Sequence, residues 1–108
     1  MTMIHAENSD AIGFLTKRLM AEEKTAPRYH RQSRPMPVER EATHRAITFS
    51  ELVDVPILIV HVSGAEAIEQ IRRARGRGLN IHAETCPQYL FLTQEDLGLS
   101  GFGGARCV

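Results

Sequence analysis

The sequence has no tryptophan, only two cysteines, and no excess of either charge, with 13 Lys plus Arg against 13 Asp plus Glu. Each shortage excludes something. Balanced charge removes the electrostatic footprint of a binder of nucleic acid or anionic membrane, so neither partner is expected. Cys86 and Cys107 lie too far apart in sequence to form a paired zinc motif, and a reducing, cytoplasmic setting follows as the expectation. No apolar run approaches the ~18 residues that cross a bilayer. The N-terminus lacks a basic segment followed by an apolar core, so no secretory leader is expected. What remains is ordinary for a small soluble domain: 108 residues, 43% hydrophobic and 24% charged.

Met1 to Ile4 reads as the tail of a strand. Ser9 or Asp10 can cap a helix running to about Glu23, with Ile12, Leu15 and Leu19 as its apolar stripe. The stretch 24–37 (KTAPRYHRQSRPMP) has three prolines and no periodicity, and reads as a long loop. Pro37 suits a first helical turn. Val38, Ala42, Ala46, Phe49 and Val53 then recur at helical spacing to about Asp54. After Pro56 the run ILIVHV (57–62) is apolar and β-branched, as in a strand buried on both faces. Ser63 and Glu66 have capping-box spacing, so a third helix is expected at once, with Ile68, Ile71 and Ala74 inward and Gly76 and Gly78 at its end. Its basic tail RRARGRG (72–78) suits the helix dipole better than a phosphate site. LNIHAET (79–85) reads as a third short strand, 86–99 as turn and short helix, and GFGGAR (101–106) as a glycine-rich loop.

This alternation predicts an α/β fold with a parallel sheet. Three such strands leave open edges, so the chain is expected to be a segment of a larger α/β domain.

Two histidines share one setting. His5 and His61 each end an apolar run just before the turn into a helix. In parallel α/β folds, ligands collect at the carboxyl ends of strands. Two imidazoles brought there from neighbouring strands make half of a metal centre, with Glu7 and Ser63 as partners that could orient them. A lone histidine at a strand end is more often a hydrogen-bonded structural residue. Two also fall short of the three protein ligands that a catalytic zinc commonly has.

MIHAEN, RYHRQSRP with EREATHRA, LIVHVSGAEAIEQIRRARGRG and HAETCPQYL occur in this order. Together they resemble one continuous stretch of the dihydropyrimidinase/hydantoinase family of cyclic amidohydrolases, over essentially the whole chain. The resemblance implies a partial TIM-type (β/α)8 metal-dependent hydrolase barrel across 1–108, about strands five to seven with their helices, incomplete at both ends. It implies two divalent ions, zinc by expectation, with His5 and His61 as ligands at the ends of strands five and six. These ions activate the water that opens a dihydropyrimidine or 5-substituted hydantoin ring. The family's H-x-H pair, carboxylated lysine and aspartate follow its first, fourth and eighth strands, outside this stretch, so the chain alone is expected to be inactive. A small cyclic amide as substrate and a homo-tetramer are also implied; no substrate-binding residue is.

His30, in the family's H-x-x-x-R-P stretch with Arg34 and Pro35, reads as structural, and His44 as solvent-facing. His82 is not counted as a ligand. Cys86 reads as packed rather than nucleophilic, because water is the family's attacking group. Allantoinase and dihydroorotase are the alternatives among enzymes. Gln88 stands where dihydroorotases more often have histidine. A non-catalytic, dihydropyrimidinase-like assembly protein is the alternative outside enzymes, and retention of both His5 and His61 argues against it. A degenerate product that never folds is the remaining possibility.

Overall fold

A computed structural model describes residues 1–107. It falls into two compact units, one of residues 1–8 and 36–86, the other of 9–35 and 87 onward.

The first unit is the α/β layer that the alternation predicts. Strands β1 (Thr2–Ile4), β2 (Ile57–Ile59) and β3 (Ile81–Ala83) form one parallel sheet in the order β1-β2-β3. The registers align Ile4 with Ile59 and Ile59 with Ala83. Helices α3 (Met36–Val53) and α4 (Ala65–Gly76) belong to the same unit. Ile57, Ile59, Val62, Ile81, Ala42, Ile47, Ala67, Ile71 and Ala74 build the core between them. The centre is dry, with Ile59 only 1% exposed.

The expectation that β2 is buried on both faces holds for one face. Ile57 and Ile59 are buried, but Leu58 is half-buried. Its register partners are Met3, 66% exposed, and His82, also exposed. The row Met3–Leu58–His82 is thus an open sheet face, because residues alternate between faces and only one is covered by helices.

Helix α3 follows the predicted stripe in its first half, where Val38 and Ala42 are buried and Ala46 packs on the core, and departs from it in its second. Phe49 is 60% exposed and Val53 is exposed too, while Thr43, Ile47 and Ser50 are buried at the same three-to-four spacing. The inward face also carries hydroxyls, so following the apolar residues alone places Phe49 and Val53 inward where Ile47 and Ser50 are. Ser50 Oγ donates to Val55 O (2.6 Å). Thr43 is 0% exposed, and its Oγ1 has no hydrogen-bond partner among the described residues. An unsatisfied buried hydroxyl carries its desolvation cost without return. Thr43→Val is therefore expected to raise stability by about 1 kcal/mol, read as a higher urea midpoint; a lower midpoint would show that the hydroxyl is satisfied.

Helix α4 likewise turns Ala67, Ile71 and Ala74 inward and leaves Ile68 exposed. Its end is as predicted: Gly78 takes φ +89° and Leu79 N–H closes on Ala74 O (3.2 Å). The predicted Ser63–Glu66 capping box does not form. Gly64 is the N-cap and no side chain of its own bonds the helix start. Glu66 instead pairs with Arg40 (2.7 Å). The basic tail is ion-paired on the surface, with Arg72 and Arg73 on Glu69 and Arg77 on Glu51.

The second unit holds α1 (Ser9–Ala21), α2 (His30–Ser33) and short 3-10 turns at Pro27–Tyr29, Pro87–Leu90, Gln94–Gly98 and Gly104–Cys107. Two expectations need correction here. The stretch 24–37, read as loop, is largely helical: a 3-10 turn opening on Pro27, then α2, then the start of α3. It breaks at Arg34 (φ −128°, ψ 59°), because a residue before proline is barred from the helical region. The glycine-rich tail closes in a 3-10 turn rather than an open loop. No helix among the described residues is long and apolar enough to cross a membrane.

Candidate functional site

His5 and His61 meet. His5 Nδ1 lies 2.7 Å from His61 Nε2, with ring centroids 4.6 Å apart at 63°. Register alone would not bring them together. Ile4 pairs with Ile59, and Val60 N–H still donates to Ile4 O (3.1 Å), so His5 is level with Val60. In a continuing strand, His61 would point to the face opposite His5. It leaves the strand instead, with φ +42°, in the left-handed region. That single turn returns its ring toward His5. Such a conformation costs a non-glycine residue of order 1–3 kcal/mol and is held only where the surroundings enforce it.

The surroundings are identifiable. Val62 is buried, and its N–H donates to Glu84 O (2.8 Å). Beyond it, the Glu39 carboxylate accepts from Ser63 N–H (2.8 Å), Gly64 N–H (2.7 Å) and Ser63 Oγ (3.1 Å). Ser63, expected beside His61, thus spends its hydroxyl on Glu39. Glu7 Oε2 lies 3.2 Å from His5 Nε2. The turn after His5 is tied to α3 as well. Asn8 N–H donates to Val38 O (3.3 Å) and Asn8 Nδ2 to Glu41 Oε2 (2.6 Å).

This arrangement fits a metal ion as far as it goes. One nitrogen of His5 is engaged by a carboxylate, and the other faces a second imidazole nitrogen. That is how histidine ligands are oriented in metalloproteins. At 2.7 Å the two nitrogens stand within hydrogen-bond distance. A divalent ion between them would need the rings to part, since zinc–nitrogen bonds are ~2.0–2.1 Å each. Among the described residues no group of three or more His, Cys, Asp or Glu side chains is placed to hold a metal, so the pair alone falls short of a metal centre.

The other sequence candidates lie elsewhere. His44 is exposed and bonds Gln70 Oε1 (3.2 Å), and His82 is exposed and bonds Asn80 Oδ1 (2.8 Å). His30 begins α2 in the second unit. Cys86 and Cys107 are free and half-buried. Glu39 was not legible as a site residue. An acidic residue in a helix's first turn is ordinary, and its three bonds cross 24 or 25 positions of sequence.

No family model matches the chain. The D-hydantoinase of Ralstonia pickettii is 51% identical over 108 residues, all of this chain and 24% of that protein. The solved dihydropyrimidinase from Brevibacillus agri NCHU1002 superimposes with a TM-score of 0.93 at 47% identity, over 95% of this chain and 22% of that one. More distantly, an allantoinase of Desulfitobacterium hafniense (strain DSM 10664 / DCB-2) is 37% identical over 95 residues, 88% of this chain and 21% of that protein. The chain spans about a quarter of the length of the curated relatives it matches. By sequence and by fold alike, it belongs with the D-hydantoinases and dihydropyrimidinases, matching one stretch of them.

Proposed function

We propose that this chain supplies part of the metal centre of a cyclic amidohydrolase that opens a dihydropyrimidine or 5-substituted hydantoin ring. The observation that carries the reading is the His5–His61 pair, converging from adjacent parallel strands with Glu7 on the far nitrogen of His5. The two strands are read as the fifth and sixth of a (β/α)8 barrel, with β3 as the seventh. The Met3–Leu58–His82 row, which no helix covers, supports that reading, since a barrel's interior face is covered only by the opposite strands.

His5 and His61 would hold one of two divalent ions, zinc in this reading, through Nδ1 and Nε2. When bound, such ions polarise the ring carbonyl and make water a nucleophile near neutral pH. The histidines hold position and transfer no proton. Glu7 fixes which nitrogen of His5 faces inward. A small cyclic amide is the partner, in a soluble homo-oligomer, a tetramer in this reading, of the cytoplasm. Allantoinase is the second reading, supported by the 37% identity noted above. A non-catalytic assembly role is disfavoured by the intact histidine pair.

The test is a chimera in which residues 1–108 replace the matching stretch of the Ralstonia pickettii D-hydantoinase. The zinc-loaded chimera is expected to hydrolyse dihydrouracil or 5-phenylhydantoin, whereas the 108-residue chain alone is not. A folded, metal-replete chimera without turnover would overturn the reading. Zinc-dependent hydrolysis by the isolated chain would overturn the half-site account.

A further inference from the structure

We infer that Glu39 is the positioning residue of the half-site, setting His61 in its left-handed turn from the first turn of the neighbouring helix. The inference rests on the metal reading above and adds a residue to it. Three bonds, all 3.1 Å or shorter, run from the turn after His61 to one carboxylate. Glu39 is half-buried, on the inward side of α3 with Thr43 and Ile47, four and eight positions on. Helix α4 has no side-chain cap of its own, and the Glu39 carboxylate accepts from the N–H of its N-cap, Gly64. The same end of α3 holds the turn after His5, through Val38 O and Glu41. One helix end therefore references both imidazoles to each other. Glycine at position 64 is what admits the carboxylate: a Cβ there would lie 2.6 Å from Glu39 Oε2. Gly64 has φ −91° and ψ 134°, which alanine adopts freely, so Gly64→Ala displaces the carboxylate without straining its own backbone.

A helix-capping role alone would change stability and leave metal geometry untouched. The discriminating experiment is copper(II) titration of the chain well below its unfolding temperature, read by the nitrogen hyperfine pattern in EPR. Copper is chosen because it binds imidazole more tightly than zinc does. The wild-type chain is expected to show two equivalent imidazole nitrogens. Glu39→Gln and Gly64→Ala are each expected to lose about tenfold in affinity, the low end for a residue acting through a ligand, and to show one nitrogen. Arg40→Gln, which removes only the Arg40–Glu66 pair, is expected to keep the wild-type spectrum. If Glu39→Gln does not fold, Gly64→Ala decides. A two-nitrogen wild-type spectrum unchanged in the variants overturns the role of Glu39 alone. A wild type with no two-nitrogen signal overturns the half-site, and this inference with it.

Discussion

His5→Ala and His61→Ala are each expected to weaken zinc binding by at least about a hundredfold, the upper end of what even a supporting residue's loss costs at a metal site. Calorimetric titration of each variant measures it. In the proposed site the pair would act as a chelate whose two nitrogens are already in contact at 2.7 Å, so removing either leaves one monodentate imidazole. The same titration on His30→Ala, His44→Ala and His82→Ala is expected to match wild type within about twofold. His44 and His82 are exposed and engaged by Gln70 and Asn80, and His30 lies in the other unit. Equal losses across all five variants would mean that zinc binds by surface histidine content rather than at the strand ends.

The largest effect on stability is expected from Ile59→Ala, about 2–5 kcal/mol, the range for truncating a fully buried aliphatic side chain. Ile59 is 1% exposed, sits in the central strand and is register partner to both Ile4 and Ala83. Its loss leaves a cavity between the sheet and the two helices that no neighbour can fill without moving a strand. Phe49→Ala, which removes more volume still, is expected to change stability by no more than about 0.5 kcal/mol, because Phe49 stands out from the helix at 60% exposure. Urea unfolding of the two variants side by side checks both numbers. A reversed order would mean that α3 packs by the stripe its apolar residues suggest.

That contrast marks how far the sequence can be read. Strand placement was legible because apolar runs ending in a polar turn have few other interpretations, and α1 and α4 appear within a few residues of their expected bounds. The inward face of the second half of α3 was not, since it includes Ser50, which a hydrophobicity pattern counts as outward. Residues 24–37 were misread because three prolines suggest irregular chain, although Pro27 opens one helical turn and Pro35 only ends another. At the site, the pairing of His5 with His61 followed from strand-end logic. The left-handed turn at His61 did not, because histidine carries no glycine-like signal for it. Nor did the brace by Glu39, which depends on two helices meeting and not on any local pattern.

The most direct test of the central claim is zinc K-edge X-ray absorption on the zinc-loaded chain. The account predicts two imidazole nitrogens at ~2.0–2.1 Å and no sulfur, with the imidazole scattering reduced to one ring at most in His61→Ala. Sulfur scattering at ~2.3 Å would place the metal on Cys86 or Cys107 instead, and would contradict a half-site built by the two strand-end histidines.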